Sequence, residues 1–218
     1  MGGLLSVRND YCDGSKTPLF RGLMHAVMSG YLIYFIIQNY LIMSVHHLVS
    51  LGMILSSYVA SVALHCIKFR AARYEIIVNL IDHAAIHNHI FGVMILKIIF
   101  NKFFWLIGGL FFINYYVDCC YLYRYGMEYI HAGKHVGHYG ISIILAMMNF
   151  LNYCLWVSGI DWGMIFLILC SGVFYVSGLI FYFVNMKKEV SHKIWDFHET
   201  FHFLTVSGTI LLLYLIVI

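Results

Sequence analysis

Histidine is the residue whose number and spacing in this chain could support chemistry. There are 13 histidines among 218 residues, and imidazole is the commonest metal ligand in proteins. Ser61 and His65 are four residues apart, as are His198 and His202, and this spacing places each pair on one face of a helix. Two imidazoles on one helical face make half of a tetrahedral zinc site. We therefore expect a Zn²⁺ centre with four candidate ligands: His65, His198, His202 and Asp82.

The expected ligand set is that of a catalytic metal. Three neutral histidines leave one coordination position for water, as in catalytic zinc sites. Asp82 is then either a fourth ligand or the acceptor of a proton from that water. Ser61, one turn before His65, either bonds an oxyanion or orients the imidazole. Asp82 and Ser61 are thus the candidate catalytic residues, and spacing does not choose between their roles.

A rival hypothesis comes from residues 198–202, which spell H-E-x-x-H. In metalloproteases this pattern provides two zinc ligands and a glutamate that acts as general base. The sixteen residues after the motif contain no acidic residue, so a further acidic ligand would have to come from upstream, where Asp82 is available. Otherwise Glu199 faces a neighbouring helix or the lipid headgroups.

The remaining histidines are given other roles. One group is expected to pack, to relay protons or to support the zinc ligands: His83, His87 and His89. Another is expected in a solvated polar loop beside Lys134: His131, His135 and His138. His25 is expected to be an isolated interior histidine that makes hydrogen bonds.

Long apolar segments must position these residues. The chain is 62% hydrophobic and 11% charged, with a mean hydropathy of +0.84, which is far from the balance of soluble domains. Apolar runs of about 17 to 25 residues are long enough to cross a bilayer as helices. We predict an all-α bundle of seven transmembrane helices over these residues: 22–40, 46–67, 76–98, 103–120, 139–157, 163–185 and 197–218.

The basic residues orient this bundle. With seven spans, 11 of the 13 lysines and arginines lie on the side of the N-terminal tail. The positive-inside rule then places the N-terminus in the cytoplasm and the C-terminus outside. We expect one domain over 1–218, in which 1–21 form a short cytoplasmic tail. The formal charge of +3 and the scattered basic residues argue against a nucleic-acid partner.

Four motifs together resemble the hemolysin III and adiponectin receptor family, also called progestin and adipoQ receptors. They are Arg21-Gly22-Leu23-Met24-His25-Ala26, Ser61-x-x-x-His65, Leu80-Ile81-Asp82-His83-Ala84-Ala85-Ile86, and His198-Glu199-Thr200-Phe201-His202. Two features depart from the family pattern. The glutamate and asparagine common around the first motif are absent, and Phe91-Gly92-Val93-Met94 replaces a proline-bearing stretch.

The resemblance implies a seven-helix bundle with a cytoplasmic N-terminus and zinc held by His65, His198 and His202. It also implies that Asp82 contacts zinc through water and that Ser61 lies nearby. The wider superfamily includes alkaline ceramidases, so we expect a zinc-dependent hydrolase of a lipid amide that carries an acyl chain and comes from the membrane lipids. The alternatives are a receptor or membrane-fluidity regulator with structural zinc, and a haemolysin-type cytolytic protein. The expected location is the plasma membrane, or otherwise an organelle membrane.

Overall fold

The described part of the chain is entirely helical. The computed structural model describes residues 19–69, 71–97, 101–156, 162–185 and 197–217. A short 3₁₀ turn, Tyr40–Ile42, follows the first helix. The seven α-helices within these ranges are α1 (Leu19–Asn39), α2 (Val45–Cys66), α3 (Ala72–Ile95), α4 (Lys102–His131), α5 (His135–Trp156), α6 (Trp162–Asn185) and α7 (Phe197–Val217).

The outer surface of the bundle is apolar. Large side chains such as Leu155, Trp162 and Phe166 are exposed, and so much uncovered apolar surface is typical of contact with lipid. Five helical segments are long and apolar enough to cross a membrane: Val45–Cys66, Lys102–Ile130, His135–Trp156, Trp162–Phe183 and Glu199–Ile216. These helices indicate a multi-pass membrane protein.

α3 is less apolar than these five segments, and several of its polar residues face the interior of the bundle. It carries Asp82 and three histidines, of which His87 and His89 are buried. Polar side chains at membrane depth usually face the bundle interior. The composition of α3 therefore reflects a helix in the middle of the bundle.

The helices close into a ring. α1, α2 and α3 pack in sequence, α3 also packs on α5, α5 on α6, α6 on α7, and α7 returns to α1, while α4 packs against both α3 and α5. The α2–α3 contact is especially close: Ser50 Oγ donates to the Gly92 carbonyl oxygen at 2.6 Å. A Cβ at Gly92 would lie 2.7 Å from the Ser50 carbonyl oxygen, so only glycine fits at this crossing.

The two ends of the bundle differ. The end at which α1, α2 and α7 pack their Leu32, Leu51 and Leu212 side chains is filled by an apolar core. The opposite end, where α1, α3, α5 and α7 begin, contains a cavity lined by residues of all seven helices. The interior is thus filled by apolar side chains at one end and contains a cavity with polar groups at the other.

The sequence predicted a helix at each of the seven positions, and the existence of all seven is confirmed. The predicted end of the fourth span at residue 120 is wrong, because α4 continues to His131. Hydropathy falls after residue 120, but no proline or glycine lies between residue 120 and Gly126. At a rise of about 1.5 Å per residue, the part of α4 before the break at Gly126 is about 36 Å long, longer than the hydrocarbon layer of roughly 30 Å.

The prediction of a solvated loop around His131, His135 and His138 is also wrong in part. α5 begins at His135, whose side chain is fully buried. His138 is half-buried, one turn further along α5. The side chain of His131 lies outside the described residues. The error for His135 and His138 follows from the predicted start of the fifth span at residue 139, which is four residues after the observed start of α5.

Candidate metal centre

Three histidines from three helices meet inside the bundle. His25 of α1, His65 of α2 and His202 of α7 each offer one ring nitrogen, and these three atoms lie within 4.8 Å of one another. All three side chains are buried. The cluster therefore brings together side chains from the first, second and last helices.

The topology of the bundle brings these residues to one depth. His25 lies six residues after the start of α1, His202 five residues after the start of α7, and His65 one residue before the end of α2. At about 1.5 Å per residue, all three lie within about 10 Å of the same end of the bundle. Because neighbouring helices run in alternating directions, residues near a beginning and near an end become neighbours.

The arrangement of the rings fits a shared metal ion. The ring centroids of His25 and His202 are 4.3 Å apart, those of His25 and His65 are 5.9 Å apart, and those of His65 and His202 are 6.3 Å apart. At Zn–N distances of 2.0–2.1 Å, nitrogen ligands of a tetrahedral site lie roughly 3.4 Å apart. Side-chain rotations that move the ring nitrogens by an ångström or so would bring the three nitrogens to that separation. Three buried neutral imidazoles are also a donor set that zinc prefers.

A carboxylate lies beside the cluster. Asp82 of α3 accepts a hydrogen bond at Oδ1 from the hydroxyl of Ser61, one turn before His65 on α2. Asp82, Ser61 and the three clustered histidines all line the same cavity. Asp82 is outside the group of three mutually close ligand atoms. The structure thus places a potential proton acceptor in the same chamber as the histidines.

The structure places the expected zinc ligands in three different ways. His65 and His202 come together as predicted. Asp82 is bonded to Ser61 within the same cavity. His198 lies in the first turn of α7, but its side chain is outside the described residues. Glu199, the base of the rival H-E-x-x-H hypothesis, is fully buried, whereas Phe201 and His202, on the next turn, line the cavity.

The sequence reasoning missed His25 as a member of the cluster. It was expected to be isolated because no second histidine lies within one or two turns of it on the same span. The depth argument used for His65 and His202 would have found it, because His25 lies at a similar distance from the same end of the bundle. Depth across helices was therefore a better guide than spacing along one helix.

The cavity combines this polar end with an apolar part. Its volume is about 350 Å³, within the range of small-molecule sites. Its aliphatic lining from α3, α4, α5 and α6 consists of Ile86, Ile90, Met127, Ile130, Ile143 and Leu179, and Leu64 of α2 and Phe201 of α7 also contribute. The lining therefore offers both polar groups and hydrocarbon side chains, a combination that suits a molecule with a polar group and a hydrocarbon segment.

A hydrogen-bonded group of side chains closes the deep part of the cavity. His89 is bonded through Nδ1 to Ser57 Oγ at 3.0 Å, and through Nε2 to Tyr175 Oη and Thr209 Oγ1, both at 3.2 Å. His83 is bonded through Nδ1 to Tyr139 Oη at 3.2 Å. His83 and His89 are thus hydrogen-bonded inside the bundle, and a role in proton relay or in support of zinc ligands stays a prediction.

Comparison with known proteins gives no family assignment. No protein-family model matches the chain, and neither a curated protein nor a solved structure matches it. The function is therefore inferred from the chain's own geometry and from the motif resemblance.

If the cluster binds zinc, His25→Ala should weaken zinc binding at least about 100-fold, since even a residue that only supports a zinc ligand contributes 10- to 100-fold. His47→Ala is the matched control, because His47 is on α2 but contacts His46, with ring centroids 4.2 Å apart, at the opposite end of that helix from His65. Zinc in the purified proteins is measured by mass spectrometry during titration with a chelator. Full zinc retention in His25→Ala, with loss in His198→Ala, would instead support the ligand set expected from the motifs.

Proposed function

We propose that this protein is a zinc-dependent membrane hydrolase that cleaves a lipid amide, with the metal held by His25, His65 and His202. One observation carries the proposal: a buried histidine triad, a carboxylate and an apolar chamber share one cavity. The histidines account for metal binding, Asp82 for proton transfer, and the apolar lining for an acyl chain. The substrate class comes from the resemblance to ceramidase-like proteins, and fold-level analogy of this kind is weaker than site geometry.

The metal would supply the reactive water. Bound zinc lowers the pKa of a coordinated water towards about 7 and polarises a carbonyl oxygen. In this proposal Asp82, which lines the same cavity as the triad, would accept a proton from the attacking water and return it to the departing amine. The hydroxyl of Ser61 donates to Asp82 Oδ1, which orients the carboxylate. A hydroxyl group on α2 would thereby position the base on α3.

The surroundings favour Asp82 over Glu199 as this base. Asp82 lines the cavity and is half-buried, so a molecule in the cavity can reach its carboxylate. Glu199 is fully buried in the first turn of α7, and the cavity lining includes Phe201 and His202 of the next turn. This geometry supports hydrolysis of a lipid in the chamber rather than the protease hypothesis.

The apolar part of the chamber supports a lipid substrate. Ile86 and Ile90 lie one and two turns deeper along α3 than Asp82, and both line the cavity. A carbonyl group near Asp82 would therefore be followed by an acyl chain along Ile86 and Ile90. Burial of hydrocarbon contributes about 0.8 kcal/mol per methylene, so a chain of a few carbons would already favour binding in this orientation.

Hydrolysis is tested with purified protein in lipid nanodiscs that contain a panel of N-acyl lipids, with release of fatty acid measured by mass spectrometry. We expect turnover that a chelator abolishes and zinc restores. Asp82→Asn should keep zinc and lower the rate about 100-fold or more, which is the usual contribution of a general base. Glu75→Gln is the matched control, because Glu75 is another acidic residue that lines the cavity, and it should change the rate only about twofold.

Two other results would point to the alternative functions. Tight zinc without hydrolysis of any amide or ester lipid would contradict the hydrolase proposal and support a receptor or fluidity regulator with structural zinc. Release of a trapped dye from liposomes would support a cytolytic protein. Packing of Leu32, Leu51 and Leu212 at the far end of the bundle argues against a water-filled pore through it.

The proposal includes a topology in which all seven helices span the membrane and the N-terminus is cytoplasmic. The bias of basic residues supports this orientation, and it places the cavity's polar end near the cytoplasm. Epitope tags added to the two termini should then lie on opposite sides of the membrane in cells. Antibody access after selective permeabilisation of the plasma membrane measures this, and tags on the same side would contradict a seven-span arrangement.

A further inference from the structure

A second buried polar cluster lies between α3, α4 and α5, away from the histidine triad. Its centre is Asp118 of α4, which is fully buried. The carboxylate accepts hydrogen bonds from His87 Nε2 at 2.9 Å and from the Tyr129 hydroxyl at 2.6 Å. Neither the zinc chemistry nor the motif resemblance gives Asp118 or Tyr129 a role.

Hydrogen bonds through His87 hold the Asp118 carboxylate in place. His87 is itself fully buried, and its Nδ1 bonds to Ser142 Oγ of α5 at 2.9 Å. Asn114 donates to the same serine oxygen, also at 2.9 Å. A buried carboxylate at membrane depth requires such partners. Asp118 is therefore anchored to both α3 and α5.

Tyr129 reaches Asp118 from beyond a break in α4. Gly126 has φ 53° and ψ −131°, a conformation in which a residue with a Cβ is strained. The following residues, 127–131, are called here the wall segment. The bond from Tyr129 to Asp118 joins residues eleven apart, so it fastens the wall segment back onto the helix that precedes the break.

The wall segment also faces the main cavity. Met127 and Ile130 both line it, and they pack with Leu80, Ala84 and Leu122. One side of the wall segment thus contacts the chamber that contains the histidine triad, while Tyr129 bonds to the buried carboxylate. Movement of the wall segment would change the width of the apolar part of the cavity.

We propose that Asp118, held by His87, positions the wall segment through Tyr129 and so sets the shape of the chamber that receives the acyl chain. His87, Asp118 and Tyr129 are positioning residues in this arrangement and do not touch the reacting atoms. The part concerning the acyl chain rests on the proposed function. The positioning itself rests on the geometry of the hydrogen bonds and the break at Gly126.

Hydrogen–deuterium exchange of the full-length protein in nanodiscs tests the positioning. Tyr129→Phe removes one oxygen atom and keeps the ring. Peptides covering 127–133 should then exchange at least about tenfold faster, and a factor of ten corresponds to about 1.4 kcal/mol. Two reporting amides are those of Ala132 and Gly133, which donate to the Glu128 and Ile130 carbonyl oxygens at 3.0 and 2.9 Å. Peptides from α2 and α6 should be unchanged.

Tyr125→Phe is the matched control, because Tyr125 lies just before the break and its side chain is exposed. It should leave the exchange of 127–133 unchanged. Asp118→Asn keeps a side-chain oxygen that can accept from Tyr129, so it should speed exchange less than Tyr129→Phe does. Asp118→Leu removes the acceptor and should match or exceed the effect of Tyr129→Phe.

Two results would overturn the proposal: equal exchange of 127–133 in Tyr129→Phe and Tyr125→Phe, or faster exchange spread evenly over all helices. The measurement needs neither zinc nor substrate. A negative result would therefore leave the hydrolase proposal intact, and failure to detect hydrolysis would leave the positioning of the wall segment intact.

Discussion

Polar side chains in a bundle surrounded by lipid must find their partners within the protein, because the hydrocarbon layer offers none. This constraint determines where the ionisable residues of the chain lie. His25, His65 and His202 are buried where three helices meet, and Asp118 is buried between His87 and Tyr129. Apolar residues such as Trp162 and Leu155 occupy the outer surface instead. The positions of the polar groups therefore fix how the helices face one another.

The two polar clusters satisfy this requirement in different ways. Around Asp118, one hydrogen bond joins α4 to α3 through His87 and another joins two parts of α4 through Tyr129. In the triad, three ring nitrogens converge within 4.8 Å, and neutral imidazoles are ligands suited to a divalent cation. We therefore propose a metal for the triad, where ligand atoms of three helices converge, and a positioning role for the Asp118 cluster, where a carboxylate ties Tyr129 to α3. Both clusters act on the same chamber, one through His65 and His202 and the other through Met127 and Ile130.

The sequence predicted the general architecture well because hydrophobic length is a strong signal for helices in lipid. The meeting of His65 with His202, and of Ser61 with Asp82 in the same cavity, followed from depth along the helices and from the motifs. The role of His25 was missed because a solitary histidine has no local pattern, and only the contact between α1 and α7 places it beside His202. Asp118 was missed for a similar reason: its partners lie 31 residues before it and 11 residues after it. The break at Gly126 was also missed, since a single glycine does not reveal its backbone conformation.

The central claim is that histidines of α1, α2 and α7 hold one zinc ion. X-ray absorption spectroscopy at the zinc edge of the purified protein measures the ligands directly. The account predicts nitrogen or oxygen neighbours at about 2.0–2.1 Å and the scattering pattern of three imidazoles, of which one is lost in His25→Ala. Sulfur neighbours at about 2.3 Å, or an imidazole count unchanged by His25→Ala, would contradict it.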